Sequence, residues 1–352
     1  MIIKLRRKVI FVLLPAVVVA CAFSIAAFLR VGAEKAENER AYIKWAEFNV
    51  SLKALEDTMA LDIETCYNLY HISWIDSLSY LAVKNGNNWN GYKTRDLQKM
   101  KDTLGDSKTI DDLVGENKYF AYYRETFSAI LGGLLGEFER EKPDGNGGKE
   151  TYSGYGLVAY SPIAEGFSYS HYDDFGSSRS YGYRRSHLGN DLLGNIGTPV
   201  VAVEGGTVEC IGWNQYGGWR LGIRSFDGKR SYYYAHLRKD RPYCGDIKQG
   251  SFVKAGQVIG YMGMTGYSTT ENVNGMSVPH LHFGLQLIFD ESQKEGTNQI
   301  WLNVYKLVKL LSKNRATVVR DGRTGDYFRK YDIIDKRYPP ELQSFSVPPI
   351  SG

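Results

Sequence analysis

Between residues 154 and 287 the apolar residues of this chain come in short runs, and this feature constrains its fold most. Runs of β-branched and aromatic residues occupy 199–203, 207–211, 219–224, 231–235 and 282–287, with glycine-containing turns between them. Such runs suit strands joined by tight turns, so this part is expected to be a mainly antiparallel β-sheet. The preceding segment, residues 33–141, has a different period. Leu52, Leu55, Met59, Ile63 and Cys66 recur at steps of three and four, which marks one apolar face of a helix. Asn85-Gly86-Asn87-Asn88 breaks that unit, and Thr109-Ile-Asp-Asp112 reads as a capping box before another helix rich in aromatics. Gly132, Gly133 and Gly136 within an apolar run indicate close packing. Pro143-Asp-Gly-Asn-Gly-Gly148 is polar and turn-rich and reads as a linker. Residues 301–311 return to helical spacing, and the tail beyond Asn314 is polar.

The start of the chain carries a separate signal. Lys4, Arg6, Arg7 and Lys8 precede an apolar stretch over residues 9–29, broken by Pro15 and Ser24. That length is close to the ~20 residues a helix needs to cross a bilayer. The basic cluster should stay in the cytoplasm and send everything after Arg30 outside. A cleaved secretory signal and a lipoprotein signal ending at Cys21 compete with an uncleaved anchor. The apolar run nevertheless continues through Ala22, Phe23, Ile25 and Phe28, where a mature chain would turn polar. The expectation is a single-pass anchor in the lipid bilayer with the bulk of the chain extracellular.

The 352 residues are 43% hydrophobic and 23% charged, as in ordinary globular proteins, and the formal charge of +4 is spread along the chain. A nucleic-acid partner, which would need a concentrated basic stripe, is excluded. Many of the 26 tyrosines lie between Tyr152 and Tyr267. They suit half-buried sheet positions, and equally a groove that binds polar peptides or sugars. None of the four cysteines, Cys21, Cys66, Cys210 and Cys244, forms a C-x-x-C pair, which argues against a thiolate metal site. Cys210 and Cys244 remain candidates for a bridge.

Four of the six histidines form three separated clusters within the β region. His187-Leu-Gly-Asn-Asp191 sets a histidine and a carboxylate four apart, with its glycine favouring a loop over a helix. Tyr234-Ala-His236-Leu237 ends an aromatic strand. Pro279-His280-Leu281-His282-Phe283 places two histidines on one face of a strand. Two imidazoles and one carboxylate are the ligand set of a catalytic zinc site with a position left for water, and two further histidines could orient that water and stabilise an oxyanion. Any single cluster could be a hydrogen-bonded sheet histidine, but three in one segment point to a site. His71, alone among aromatics, reads instead as a packed or surface residue.

The pieces also run in a familiar order. After His187–Asp191 come Gly197-Thr-Pro-Val200, Gly206-Thr-Val208, Tyr234-Ala-His-Leu237, Val253-Lys-Ala-Gly-Gln257, Thr265-Gly266 and Pro279-His-Leu-His-Phe283. In these the chain resembles the lysostaphin-type, or LytM-type, zinc endopeptidases, which are bacterial cell-wall hydrolases. The resemblance implies Zn2+ as cofactor, with His187, Asp191 and His282 as its ligands. It implies His236 and His280 as the pair that activates water and stabilises the transition state, and peptidoglycan peptide as the substrate. Relatives that have become regulators of other hydrolases, or accessories of secretion, conjugation or sporulation machines, usually lose one or more of these five residues. All five are present. Two departures stand out: the insert 269–279 lengthens the connection into the last motif, and Gly284 stands where many members carry glutamate.

The expected fold class is therefore mixed: an N-terminal transmembrane helix and helical region followed by a mainly antiparallel β-sheet peptidase domain. The expected layout is a basic segment and anchor over 1–32, a helical extracellular region over 33–141 offering a surface for a protein partner, and a linker over 142–153. A peptidase domain with a C-terminal helix then spans 154–311, followed by a tail over 312–352.

Overall fold

Ser51 starts the first helix, because its hydroxyl accepts a hydrogen bond from the Ala54 N–H. This helix, α1 (Leu52–Thr65), is followed by α2 (Trp74–Asn85), α3 (Thr94–Leu104), α4 (Ile110–Val114) and α5 (Lys118–Leu131). The computed structural model describes residues 42–105 and 107–339. The buried face of α1 is Ala54, Leu55, Thr58, Leu61, Asp62 and Thr65, rotated from the stripe its apolar spacing predicts. Polar residues can occupy that face because each finds a local partner. The Thr58 and Thr65 hydroxyls donate to the Ala54 and Leu61 carbonyls, and Asp62 accepts from Trp74 N–H and pairs with His71. The capping box at Thr109 forms as expected, but Gly115 at φ 53° stops α4 after five residues, and Asn117 caps α5 afresh.

The stretch read as a linker is the tip of a hairpin. Strand β1 (Leu135–Pro143) pairs antiparallel with β2 (Lys149–Leu157), and β17 (Ile333–Asp335), from near the end of the described chain, pairs with β1. The turn residues Asp-Gly-Asn-Gly close two strands here, because a hairpin needs the same left-handed glycines as a flexible connection.

The central sheet has eight strands, β3 (Ser170–His171), β6 (Asn190–Leu193), β8 (Gly206–Asn214), β9 (Gly218–Ser225), β10 (Arg230–Ala235), β11 (Phe252–Val253), β13 (His280–Leu287) and β14 (Ile300–Leu302). Their order is β11-β8-β9-β10-β13-β6-β3, with β14 beside β13, and every pairing is antiparallel. Two small ribbons, β4 (Ser178–Arg179) with β5 (Arg185–Ser186) and β7 (Pro199–Val201) with β12 (Val258–Tyr261), flank it. A C-terminal helix, α6 (Tyr305–Leu311), follows β14 and packs against α1, and β15 (Val318–Arg320) and β16 (Tyr327–Arg329) form a last ribbon.

One face of the sheet is the core. Tyr232, Tyr234, Leu281, Phe283, Leu285 and Leu287 are fully buried on it. Arg230, on the same face, reaches α5 by donating to the Ala129 carbonyl. Gly133 lies so close to the Glu204 and Arg230 side chains that any Cβ there would collide with both, which accounts for a glycine at this position. The helical segment and the sheet therefore share one compact unit running from Lys44.

Two expectations are corrected. The described fold is a mostly-β domain with a few helices in its N-terminal region. Among the described residues no helix is long and apolar enough to cross a membrane, the longest having 14 residues against the ~20 required. The transmembrane helix expected over residues 9–29 lies outside the described residues. Among the described residues the single-pass membrane localisation therefore has no spanning helix to rest on.

Candidate metal centre and its groove

Alternation along β13 turns His280, His282 and Gln286 away from the core and into a groove of 660 Å³. Pairing does the rest. His282 lies opposite Asp191 of β6 on one side and Ala235 of β10 on the other, so two clusters far apart in sequence become neighbours. His187 enters from the loop just before β6. Its Nε2 is 2.7 Å from His282 Nδ1 and 3.1 Å from Asp191 Oδ1, and those two atoms are 3.3 Å apart. A tetrahedral ion with bonds of about 2.0–2.1 Å separates neighbouring ligand atoms by about 3.3 Å, so the triangle is of the right size. Two imidazole nitrogens and one carboxylate oxygen are a donor set that suits zinc.

A second layer holds the triangle. Asp174 offers both its Oδ2 and its carbonyl oxygen to His187 Nδ1, each at 3.1 Å. That fixes a proton on Nδ1 and leaves Nε2 as the nitrogen that faces the triangle. Asp174 Oδ1 also accepts from the Asp191 N–H at 3.1 Å. Arg179 Nη2 donates to Asp174 Oδ2 at 2.7 Å and Asp191 Oδ2 at 2.9 Å. Both its hydrogens are thereby spent, and its approach to His187 Nδ1 is a contact only. Asp191 keeps Oδ1 for the triangle. Sequence reasoning missed Asp174 and Arg179, because neither stands at a ligand spacing; only the excursion through β4 and β5 brings them in.

Charge follows geometry. Burial opposes a charge on His187, yet hydrogen bonds to Asp174 and Asp191 push its pKa up to about 9. Burial likewise opposes a charge on Asp191, but hydrogen bonds from His187 and His282 pull its carboxyl far below the usual range. The carboxylate is therefore ionised at neutral pH, as a metal ligand must be.

His236 and His280 stand beside the triangle, their ring centroids 4.7 Å apart. His236 Nδ1 donates to the Thr265 carbonyl and His280 Nδ1 to the Val278 carbonyl, each at 2.8 Å, so Nε2 is the free nitrogen of both rings. His280 Nε2 is 3.8 Å from Asp191 Oδ1. Burial, reinforced by His280 and His282, pushes the His236 pKa well below its ordinary value. His236 follows β10 at φ 59°, a left-handed conformation rare outside glycine, held by its N–H donating to the Gly217 carbonyl at 2.7 Å. Gly189 is required because a Cβ would lie 2.7 Å from the His282 ring.

Aromatic residues wall the groove. Tyr181, from the β4–β5 ribbon, stacks on Tyr267 with centroids 4.7 Å apart, and Arg185 lies over the Tyr216 ring. The insert 269–279 is pinned by Asn272, whose side chain accepts from Trp219 Nε1 and Asp240 N–H. Among the described residues Cys66, Cys210 and Cys244 are free thiols, so the candidate bridge is absent.

The model of peptidase family M23 matches residues 185–295. The L-Ala–D-Glu endopeptidase of Bacillus subtilis (strain 168) is 33% identical over 185 residues, 51% of this chain and 55% of its own. Lysostaphin of Staphylococcus simulans is 44% identical over 161 residues, 46% of this chain and 29% of its own. The chain thus spans about half the length of the first and under a third of the second. A crystal structure of a lytM protein from Ruminococcus gnavus superposes with a TM-score of 0.51 at 22% identity, covering 78% of this chain and 92% of that one, which shows a shared fold. Family M23 peptidases are zinc-dependent, in keeping with the donor set of His187, Asp191 and His282. With ligand atoms, neighbouring histidines and motif order in agreement, residues 185–295 of this chain are a domain of peptidase family M23.

Proposed function

We propose that the chain is a zinc-dependent endopeptidase that hydrolyses peptide bonds in the stems or cross-links of bacterial peptidoglycan. The observation that carries this reading is the convergence of His187 Nε2, Asp191 Oδ1 and His282 Nδ1 on one point of an open groove, beside His236 and His280. Zinc held by those three residues would polarise a peptide carbonyl and lower the pKa of water toward ~7. The other steps belong to the chain. His236 and His280 turn Nε2 to the groove, where one, neutral, can take the proton of the attacking water and the other, in its imidazolium form, can donate to the carbonyl oxygen as it gains charge. The low pKa of His236 keeps it neutral at pH 7 and able to accept a proton. The aromatic walls offer flat faces to an extended peptide.

The names of the similar proteins, an L-Ala–D-Glu endopeptidase and lysostaphin, point to cell-wall peptide as the substrate class. An inactive regulatory domain would be expected to lack one or more of the five site residues, and all five are here. The partner supported is peptidoglycan peptide; the described residues give no support for a lipid bilayer or a protein bound through the helices.

Mass spectrometry of defined peptidoglycan fragments after incubation with the zinc-loaded full chain tests the reading. One amide should be cleaved with gain of one water, a chelator should stop the reaction, and added zinc should restore it. Intact fragments, or undiminished cleavage by metal-free protein, would contradict it.

A further inference from the structure

Arg220 lies on β9 in the groove floor, and among the described residues no carboxylate pairs with its guanidinium. Nη1 donates to the Cys210 sulfur at 3.0 Å, and Nε is buried with no acceptor. The other groove cations are engaged. Arg179 is paired with Asp174 and Asp191, Lys294 with Glu209, and Arg185 donates to the Tyr181 carbonyl and stacks on Tyr216. Among the described residues Arg220 has only a neutral sulfur, a weak acceptor, as hydrogen-bond partner. A half-buried guanidinium without a counterion is destabilising, and a carboxylate delivered by a ligand would offset that cost with a charge-assisted hydrogen bond.

Register places this charge relative to the metal triangle. Tyr234 pairs with Leu221, so one further step sets Arg220 opposite Ala235; Ala235 pairs with His282, and His282 with Asp191. Arg220 therefore shares a cross-sheet row with two of the proposed ligands, two strands from His282, or about 10 Å at ~4.8 Å per strand. The row between them is low, with Ala235 in it and Gly222 beside it. An extended peptide covers that distance in about three residues.

We propose that Arg220 binds a carboxylate of the peptide substrate, two or three residues from the bond that is cut. The proposal rests on the groove being the peptide site and deepens that reading. It selects a stem peptide bearing free carboxylates over a glycine bridge, whose internal residues offer only neutral amides.

The test is binding to the full chain of acetyl-L-Ala-γ-D-Glu-L-Lys-D-Ala and two twins, one with the D-Glu carboxylate and one with the C-terminal carboxylate converted to amide. Calorimetry is run within the time over which mass spectrometry shows the peptides intact. At least one twin should bind the wild type about tenfold or more weakly than the parent. Arg220→Met should lose that discrimination while binding the discriminated twin within about twofold of wild type, and Arg220→Lys should keep part of it. Equal binding of all three peptides by wild type, or discrimination that survives in Arg220→Met, overturns the proposal. Because the readout is binding, a failure to hydrolyse would count against the peptidase reading alone.

Discussion

The two faces of β10 and β13 carry polar clusters of similar richness and opposite design. On the core face Arg230 is 0% exposed and Glu204 2% exposed, and the group is closed. Arg230 donates to Glu204, to Asp227 and to the Ala129 carbonyl, and Tyr232 donates to Glu204. On the groove face His187, Asp191, His236 and His280 spend their outer atoms on Asp174, Arg179 and backbone carbonyls, and the inner atoms of His187 and Asp191 meet His282 Nδ1 at one point. A closed network ties helix to sheet and offers nothing to a ligand. A network complete on its outside and convergent on its inside is arranged to hold something.

Breaking the closed face should have the largest effect on stability. Glu204→Leu leaves a buried guanidinium short of its main partner, so denaturant unfolding should show a loss of about 3–5 kcal/mol. Zinc stoichiometry of the protein that remains folded should be unchanged. On the open face the cost should appear in rate instead. His236→Ala should keep its zinc and its unfolding midpoint while turnover falls ~10²–10⁴-fold, the usual effect of removing a general base.

The layer behind the triangle should give an intermediate result. Asp174→Asn weakens the acceptor that orients His187, and chelator competition should show zinc affinity about 10–100-fold lower. An affinity equal to wild type would mean that His187 is oriented by packing alone.

His171 sharpens the comparison with a histidine that belongs to neither design. Both its ring nitrogens are buried without a partner, and it packs on Tyr305. Burial, with Lys309 nearby, lowers its pKa from 6.5 to about 4. Because the folded state favours the neutral ring, its contribution is complete above pH 6.5 and is lost as pH falls from 6.5 toward 4. Screening of a partly exposed ring brings the loss to about 1–2 kcal/mol. His171→Phe should flatten the stability profile by that amount in this window and leave it unchanged above pH 7.

Much of this arrangement is legible in the sequence where the period is simple. The runs at 207–211, 219–224 and 231–235 lie within β8, β9 and β10, and the spacing of His280 and His282 requires that they share a face. Three things were not legible. The buried face of α1 includes Thr58, Asp62 and Thr65, whose hydrogen bonds no hydropathy pattern reveals. Residues 143–148 have the composition of a linker and of a hairpin turn alike, and the pairing of Phe138 with Gly154 decides between them. Asp174 and Arg179 are unremarkable in type and spacing, so their place behind His187 and Asp191 depends on tertiary structure alone.

The central claim is that the groove holds one metal point made by His282 but not by His280, although both lie on the same face of β13. Zinc content and turnover measured together on full-chain His282→Ala and His280→Ala test it most directly. The account predicts that His282→Ala loses zinc and activity together, whereas His280→Ala keeps about one zinc per chain and loses turnover. If His280→Ala loses zinc and His282→Ala retains it, the assignment of roles within the groove is contradicted.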